Sequence, residues 1–385
     1  MYKILKLNKI HEKAENILNK GYLLSDNEEN PDGIIVRSYK MHDYIPKDNL
    51  VAVARAGAGV NNIPVDKYKD LGIVVFNTPG ANANAVKELV ICSLFLASRD
   101  IVKGINWTSS LKGKGAEVGP AVEKGKVAFG GTEILGKTLG IVGLGAIGSM
   151  VAQAALALGM KVIGYDPYLT VDTAWTLNSE IKHAKELNYL YANSDFISIH
   201  SPLTEDTREM INAASIRKMK EGVSIINCAR NELVCNKDLL EGIQLGKIRK
   251  YVTDFPSDDL IDCENVITIP HLGASTEEAE TNCAIMAANE LKEYLENGNI
   301  INSVNYPNLS AERTGEYRIT INLSADSSAA IKGAEILKDY GITGSISSTR
   351  NNAAYAIIDL ANKPDADVLD KLKALDGVKK LRVIR

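Results

Sequence analysis

Short apolar runs alternate with longer polar and amphipathic stretches up to about residue 80. Three of those runs, 34–36, 51–54 and 73–76, predict buried strands of a parallel sheet. The stretches between them are long enough for crossover helices. A helix free of glycine and proline is predicted over 84–97, and a glycine-rich loop connection over 104–131.

The same alternation resumes after residue 131. The pattern predicts strands at 138–142, 161–165, 195–200, 223–227, 251–254 and 265–269, and helices at 147–158, 217–219 and 236–245. A long helix over 277–297 closes this stretch. Strands that alternate with helices predict an α/β fold, with doubly wound parallel sheets that carry helices on both faces.

The last seventy residues follow a different order. After a polar linker, the pattern predicts, in order, strand 317–323, helix 327–340, strands 345–349 and 354–360, helix 366–375 and strand 379–384. This βαββαβ order is the ferredoxin-like plan. The predicted fold class is therefore α/β, with two doubly wound, Rossmann-like parallel-sheet domains and a small C-terminal βαββαβ domain. The polar linker before this last domain is predicted over 308–316.

Composition and charge argue against a nucleic-acid-binding, a membrane or a metal-binding protein. The 385 residues are 45% hydrophobic and 24% charged, as in ordinary globular proteins, and the net charge of −4 argues against nucleic acid as a partner. No apolar run approaches the roughly 20 residues that span a bilayer, so no membrane is expected. Five scattered cysteines without Cys-x-x-Cys spacing predict reduced thiols in a cytoplasmic protein and no metal site.

A glycine-rich turn follows the predicted strand 138–142. Gly143, Gly145 and Gly148 fit the pattern Gly-x-Gly-x-x-Gly, a helix starts inside it, and the next strand ends at Asp166. Such glycines let helix N-terminal amides approach a pyrophosphate. The carboxylate of Asp166 would bind the ribose hydroxyls and repel a 2′-phosphate. The sequence therefore predicts NAD, rather than NADP, as the cofactor.

His271 is the strongest acid–base candidate among the five histidines. It follows the predicted strand 265–269 at the carboxyl end of a parallel sheet, where ligands bind in such folds. His200 also ends a strand and is the alternative, although a purely structural histidine explains it equally well.

Arg230 comes shortly after the predicted strand 223–227, at the same edge of the sheet. Its planar guanidinium would match a substrate carboxylate. Alcohol oxidation with NAD also needs a proton acceptor and a group that tunes it. A carboxylate near His271 would stabilise the imidazolium. The candidates for that carboxylate are Asp254, Asp258, Asp259, Asp262 and Glu264.

Six motifs spread over almost the whole chain carry a resemblance to one known family. They are Arg55-Ala-Gly-Ala-Gly-Val-Asn-Asn62, Val75-Phe-Asn-Thr-Pro79, Thr138-Leu-Gly-Ile-Val-Gly-Leu-Gly-Ala-Ile-Gly148, His200-Ser-Pro-Leu-Thr204, Asn227-Cys-Ala-Arg230 and Pro270-His-Leu-Gly-Ala-Ser-Thr276. On these motifs the chain resembles the D-isomer-specific 2-hydroxyacid dehydrogenases. The last motif is especially similar to the members that oxidise phosphoglycerate.

The resemblance implies a role for each motif. Arg230 would bind the carboxylate and carbonyl of the substrate, and His271 would be the acid–base group. Ala146 and Ile147 would contact NAD beside the glycines and Asp166. The other implied NAD contacts are Ser201, Cys228, Ala229, Arg230, Asp254, His271, Gly273 and Ala274.

The resemblance also implies a substrate. Arg37 and Ser38, together with Arg55 and Gly57, would approach the substrate and its phosphate, because two guanidinium groups suit a phosphorylated acid. The implied reaction is NAD-dependent oxidation of D-3-phosphoglycerate to 3-phosphooxypyruvate, the first step of L-serine biosynthesis. The alternatives are a D-2-hydroxyacid dehydrogenase of the glycerate, hydroxypyruvate or glyoxylate type and a catalytically silent NAD-binding sensor.

The implied domains are three, and the chain is expected to form a homo-oligomer. A substrate-binding domain would comprise 1–97 and 282–306, an NAD-binding domain 98–281, and an ACT-like regulatory or oligomerisation domain 316–385.

Three departures from the family pattern affect the expectations. Family members usually carry a Glu-Pro whose glutamate pairs with the catalytic histidine, whereas this chain reads Thr253-Asp-Phe-Pro-Ser-Asp-Asp259, so Asp258 or else Asp259 is expected in that role. Asn231 replaces the usual glycine after Arg230, and asparagine tolerates a left-handed backbone. The His-x-Asn-x-Pro-Gly loop of serine-inhibited relatives is replaced at 323–329, so serine inhibition is not implied.

Overall fold

The computed structural model describes residues 1–325 and 328–385. These residues divide into two compact units, one formed by 1–82 with 277–385 and the other by 83–276. Within the described ranges, no helix has both the length and the apolar character needed to cross a membrane.

A five-stranded parallel sheet forms the core of residues 1–82, in the order β2-β1-β3-β4-β5. Its elements are β1 (Tyr2–Leu7), α1 (Glu12–Ile17), β2 (Tyr22–Ser25), β3 (Gly33–Val36), β4 (Ala52–Arg55), α2 (Val65–Asp70) and β5 (Val74–Phe76). The three predicted strands are confirmed as β3, β4 and β5. The apolar pattern missed β1, because two lysines interrupt its apolar residues.

Residues 83–276 form a seven-stranded parallel sheet in the order β12-β11-β10-β9-β6-β7-β8. The elements are α3 (Ala83–Ser98), α4 (Ile101–Ser109), α5 (Val118–Gly125), β6 (Thr138–Val142), α6 (Ala146–Ala157), β7 (Lys161–Tyr165), α7 (Val171–Thr176), β8 (Lys182–His183), α8 (Leu187–Asn193), β9 (Phe196–Ile199), α9 (Ala213–Lys218), β10 (Val223–Asn227), α10 (Asn236–Gln244), β11 (Ile248–Thr253) and β12 (Val266–Thr268).

Helices cover both faces of this sheet. Neighbouring strand residues enter opposite cores: Ile225 packs with one cluster and Ile226 with the other, as do Tyr251 and Val252. Because both faces are buried, most residues of the central strands are apolar, and all six predicted strands of this region are confirmed.

The prediction of a loop over 104–131 is wrong. The segment holds the end of α4, the whole of α5 and two short 3-10 turns. The rings of Trp107 and Phe129 are tilted by 39° with centroids 5.1 Å apart, and Gly125 lies so close to the indole that a side chain there would displace the ring. The glycine there serves packing rather than chain flexibility.

The C-terminal segment confirms the predicted βαββαβ order. After the predicted long helix, α11 (Glu277–Asn297), the segment comprises β13 (Tyr317–Ser324), α12 (Ala329–Leu337), β14 (Ile342–Arg350), β15 (Ala353–Leu360), α13 (Ala366–Lys373) and β16 (Val378–Ile384). Its antiparallel sheet has the order β14-β15-β13-β16. The predicted helix start at 327 and part of the loop 323–329 lie outside the described residues.

Strand β15 of the antiparallel sheet is buried on both of its faces. Ile358 of β15 packs with Leu337 of α12 and Leu372 of α13, whereas Tyr355 belongs to the cluster formed by α11 and the five-stranded sheet. The rings of Tyr355 and Tyr294 are 6.3 Å apart. The βαββαβ segment therefore shares a hydrophobic core with residues 1–82.

A buried ion pair fixes the linker before β13. Arg318 is fully buried, and its Nε and Nη2 donate to the two carboxylate oxygens of Asp359 at 2.7 and 2.9 Å. Its Nη1 donates to the carbonyls of Asn297 and Ala311 at 2.8 and 3.1 Å. The predicted linker 308–316 has no helix or strand, but this guanidinium ties it to α11 and to the sheet.

Candidate active site

The glycine turn between β6 and α6 has the geometry of a phosphate-binding loop. Gly143 has a φ of +94°, and a side chain there would approach the backbone of His200. Gly148 touches the Gly143 carbonyl so closely that no side chain fits, whereas open space surrounds Gly145. Because no side chain caps the N-terminus of α6, its first amides are free to bind an anion.

Asp166 lies beside this turn, at the end of β7. Its Oδ2 accepts a hydrogen bond from the amide of Leu144 at 2.9 Å, and its Oδ1 accepts one from the amide of Tyr168 at 2.9 Å. The carboxylate is thus held against the glycine turn. Together with the open space at Gly145 and the uncapped amides of Ala146 and Ile147, this arrangement fits a dinucleotide.

The remaining predicted residues follow four neighbouring strands. His200 and Ser201 follow β9, Cys228 to Arg230 follow β10, Asp254 follows β11 and His271 follows β12. These strands are adjacent in the order β12-β11-β10-β9, and all run parallel. Residues that are far apart in sequence therefore come to the same edge of the sheet, next to the glycine turn after β6.

His200 is held as a neutral ring. Burial lowers its pKa to about 4, and its Nε2 lies 2.9 Å from the Ser198 hydroxyl. Burial likewise raises the pKa of the neighbouring Cys228 thiol. Both groups are therefore uncharged near neutral pH, and the structural interpretation of His200 fits this environment.

Asp254 is a buried carboxylate within the electrostatic influence of His271. It is 1% exposed, and its Oδ2 accepts a 3.3 Å hydrogen bond from the amide of Gly273. Burial raises its pKa, opposed by the positive charges of His271 and Arg230. Its Oδ1 has no hydrogen-bond partner among the described residues. The His271 ring itself is exposed and lies 4.8 Å from the Phe255 ring.

Asp258 and Asp259, the carboxylates expected from the sequence, are both exposed. Asp259 accepts hydrogen bonds from Ser257 at 2.5 Å and from Asn236, and these bonds, the one from Ser257 above all, lower its pKa. Asp258 forms no hydrogen bond within the described part of the chain. Its pairing with His271 stays a prediction.

Asn227 shapes the turn that presents Arg230. This buried amide accepts a hydrogen bond from the Ala229 amide at 3.1 Å and donates to the Arg230 carbonyl at 2.8 Å. Asn231 does not adopt the left-handed backbone that asparagine tolerates, because residues 231–233 form a 3-10 turn instead. The sequence analysis did not single out Asn227, although its position as the last residue of a buried strand was a usable signal.

A second group of predicted residues lies in the other unit. Arg37 and Ser38 follow β3, and Arg55 ends β4, its neighbour in the sheet. Asn8, which the sequence analysis missed, accepts hydrogen bonds from the amides of Arg37, Ser38 and Tyr39 at 3.3, 2.9 and 2.8 Å. This one side chain therefore fixes the turn that carries Arg37.

Arg55 and Glu280 surround Arg37. The Nε of Arg55 donates to the Arg37 carbonyl at 3.2 Å, and its guanidinium lies against Gly57, where a side chain would displace it. The Nη2 of Arg37 donates to Glu280 of α11 at 2.5 Å. Two guanidinium groups and one carboxylate thus gather at the carboxyl ends of β3 and β4. Across the described residues, no group of three or more histidine, cysteine or acidic side chains could hold a metal ion.

Comparison with known proteins gives a consistent family. Residues 94–273 match the model of the D-isomer specific 2-hydroxyacid dehydrogenase NAD binding domain. A D-3-phosphoglycerate dehydrogenase of Methanocaldococcus jannaschii is 37% identical over 83% of this chain and 62% of its own length. A hydroxypyruvate reductase of Thermotoga maritima is 42% identical over 62% of this chain and 75% of its own length.

This chain is also similar to a solved structure. The NAD+-bound 3-phosphoglycerate dehydrogenase of Entamoeba histolytica matches 79% of this chain and 98% of its own, with a TM-score of 0.61 and 28% identity. The chain spans less than two thirds of the Methanocaldococcus relative and 49% of a D-3-phosphoglycerate dehydrogenase of Bacillus subtilis. The cofactor of the matched domain is NAD. The chain belongs to the D-isomer specific 2-hydroxyacid dehydrogenases.

Proposed function

We propose that this chain oxidises D-3-phosphoglycerate at its 2-hydroxyl to 3-phosphooxypyruvate with NAD, as in the first step of L-serine biosynthesis. The observation that carries the proposal is the set of His271, Asp254 and Arg230 at the ends of three adjacent strands, next to a dinucleotide-binding turn. The names of the relatives from Methanocaldococcus jannaschii, Bacillus subtilis and Entamoeba histolytica support the phosphorylated substrate.

Each residue of this set has one chemical task. Arg230 would bind the substrate carboxylate with its guanidinium, which orients the 2-hydroxyl. His271 would take the hydroxyl proton, and its exposure leaves the ring accessible to a substrate. When bound, NAD supplies the acceptor for the hydride that leaves C2. The other NAD contacts would be the glycine turn, Asp166 and the residues from Ser201 to Ala274 named above.

Two carboxylates are candidates for tuning His271. Asp254 is supported by its electrostatic interaction with the imidazole and by its burial, which strengthens that interaction. Asp258 is supported only by its place in the sequence. We therefore assign the tuning role to Asp254, with Asp258 as the alternative.

The phosphate of the substrate would bind the cluster of Arg37, Ser38, Arg55 and Gly57. Arginine suits this task because its planar group donates two parallel hydrogen bonds to phosphate oxygens. In this proposal residues 1–97 and 282–306 form the substrate domain, 98–281 the NAD domain and 316–385 an ACT-like domain.

We also infer a cytoplasmic homo-oligomer. Five free cysteines fit a reducing compartment. No residue of α4 or α5 is buried, and α4 exposes Ile101, Val102 and Ile105. Exposed apolar side chains grouped in this way suit contact with a second copy.

The test of the proposed function is the consumption of NADH with 3-phosphooxypyruvate, hydroxypyruvate or 2-oxoglutarate. We expect the phosphorylated acid to be preferred, and His271→Ala to lower kcat by about a hundredfold to ten-thousandfold through loss of the proton acceptor. His42→Ala, at an exposed histidine of the other unit, is the matched control and should leave kcat unchanged. Rates that stay at background for both wild type and His271→Ala would reject the proposal in favour of an NAD-binding sensor.

A second pair of variants tests which of the two carboxylates, Asp254 or Asp258, tunes His271. Asp254→Asn should lower kcat by at least about tenfold and shift its pH profile, because it removes the buried charge beside His271. Asp258→Asn, at an exposed side chain, should change kcat by no more than about twofold. The reverse result would return the tuning role to Asp258.

A further inference from the structure

A negative charge lies in the cluster that would bind the substrate's phosphate. Glu280 belongs to the first turn of α11, and its Oε1 accepts the 2.5 Å hydrogen bond from Arg37 Nη2. The two side chains are 41% and 40% exposed, so a ligand in solution can reach the pair. Nothing in the proposed reaction requires this carboxylate.

The local charge balance matters for a phosphorylated substrate. Arg37 and Arg55 carry two positive charges, and Glu280 removes one of them. A phosphate ester brings roughly −1.5 to −2 charges at pH 7. It must take the Arg37 guanidinium from Glu280 or share it, and it meets repulsion from the carboxylate. An unphosphorylated 2-hydroxy acid brings no charge to this place.

The side chain one turn further along α11 does not change this charge balance. Cys283 is buried one turn after Glu280, within the electrostatic reach of Arg37 and Arg55. Burial raises the pKa of its thiol, so it adds no negative charge near neutral pH. Glu280 is thus the carboxylate that competes with an anion for Arg37.

We propose that Glu280 is a specificity-determining residue. It competes with the substrate's phosphate for the Arg37 guanidinium and so weakens the preference for phosphorylated over unphosphorylated 2-hydroxy acids. This inference deepens the proposed function and rests on it for the identity of the substrate. The competition for an anion can be measured without any turnover.

The experiment is a calorimetric titration of the full chain without NAD, using 3-phosphoglycerate, D-glycerate and inorganic phosphate as probes. Glu280→Gln keeps the size of the side chain and an oxygen that can accept from Arg37. We expect it to bind 3-phosphoglycerate and phosphate about fivefold more tightly, since an exposed charge pair is released, with D-glycerate unchanged. The ratio of kcat/KM for 3-phosphooxypyruvate over hydroxypyruvate should rise by the same factor.

Two further variants serve as controls. Glu277→Gln removes a neighbouring charge in the same turn of α11, and Glu277 forms no bond with Arg37 in the described structure, so binding should stay as in wild type. Arg37→Met should weaken both phosphorylated probes and cancel the effect of Glu280→Gln in the double variant.

The outcomes distinguish this inference from the proposed function. Unchanged or weaker phosphate binding by Glu280→Gln overturns the role of Glu280, and so does an equal gain for D-glycerate. Failure of both wild type and Glu280→Gln to bind phosphate overturns it as well. If phosphate binding tightens in Glu280→Gln but wild type does not reduce 3-phosphooxypyruvate, the role of Glu280 stands and the proposed function fails.

Discussion

Two arginine–carboxylate pairs in the same unit have opposite surroundings. Arg318 and Asp359 are buried, at 0% and 4% side-chain exposure, whereas Arg37 and Glu280 are about 40% exposed. The Arg318 guanidinium also donates to two backbone carbonyls, and Asp359 also accepts from the amide of Thr314. Arg37 makes only the one bond to Glu280 through its guanidinium among the described residues.

The difference shows how the same chemistry serves structure in one place and recognition in another. A buried pair has no solvent to replace a lost partner, so each member depends on the other. An exposed pair can exchange its partner for water or for a ligand at small energetic cost. We therefore expect the first pair to govern stability and the second to govern binding.

The largest effect should come from breaking the buried pair. Asp359→Asn leaves the Arg318 charge without a counter-charge and should lower the free energy of unfolding by about 3–5 kcal/mol, measured by urea denaturation at pH 7. Glu280→Gln, which breaks the exposed pair, is the matched control and should lower it by less than about 1 kcal/mol. Equal losses in the two variants would contradict the comparison.

The buried pair also has a defined pH dependence. Burial alone would raise the pKa of Asp359, but the bonds from Arg318 and Thr314 outweigh it and lower the pKa below 3.8. The stabilisation from this pair is therefore fully present when the pH is above the pKa of Asp359 in the unfolded chain. It disappears as the pH falls through the lower pKa that Asp359 has in the folded chain.

A smaller effect is expected at a third carboxylate, which is buried with no cation as a partner in the described part of the chain. Glu290 of α11 is 5% exposed, its Oε1 accepts from Asn302 at 2.7 Å, and burial raises its pKa to about 8. The folded chain keeps a proton that the unfolded chain releases above about pH 4.5, so stability should fall as the pH rises from 4.5 to 8. Glu290→Gln should remove this fall and stabilise the protein at pH 8 by about 2–4 kcal/mol.

Urea denaturation at pH 5.5 and pH 8 would measure this effect. Glu293→Gln is the control, because that carboxylate lies on the same helix but has two amide partners, Asn297 and Asn299. A wild-type stability that is flat over this pH range would show that Glu290 is ionised in the folded protein.

Local patterns were enough to predict much of the fold. The parallel strands at 138–142 and 223–227 are buried on both faces, so most of their residues are apolar, and the glycine turn at Gly143 is encoded within six residues. The segment 104–131 misled the prediction, because Gly125 is required by the ring of Trp107 rather than by a flexible loop.

Contacts between distant positions could not be predicted in the same way. Arg37 and Glu280 are 243 residues apart, and the local sequence around either residue does not predict that the two side chains meet. Asn8 depends on β1 lying beside β3, which only the sheet order shows. For the carboxylate near His271, the family spacing indicated Asp258, and that pairing stays a prediction. The buried Asp254, at the end of the adjacent strand, is the carboxylate on which the charge of His271 acts in the structure.

The shared core of the C-terminal βαββαβ segment restricts how this protein can evolve. Tyr355 packs against Tyr294 on α11, and the guanidinium of Arg382 lies 4.6 Å from the Tyr294 ring centroid. A βαββαβ segment with other side chains at positions 355 and 382 would lack these contacts with α11. Recombination that exchanges this segment as a cassette should therefore fail unless the matching face of α11 is inherited with it.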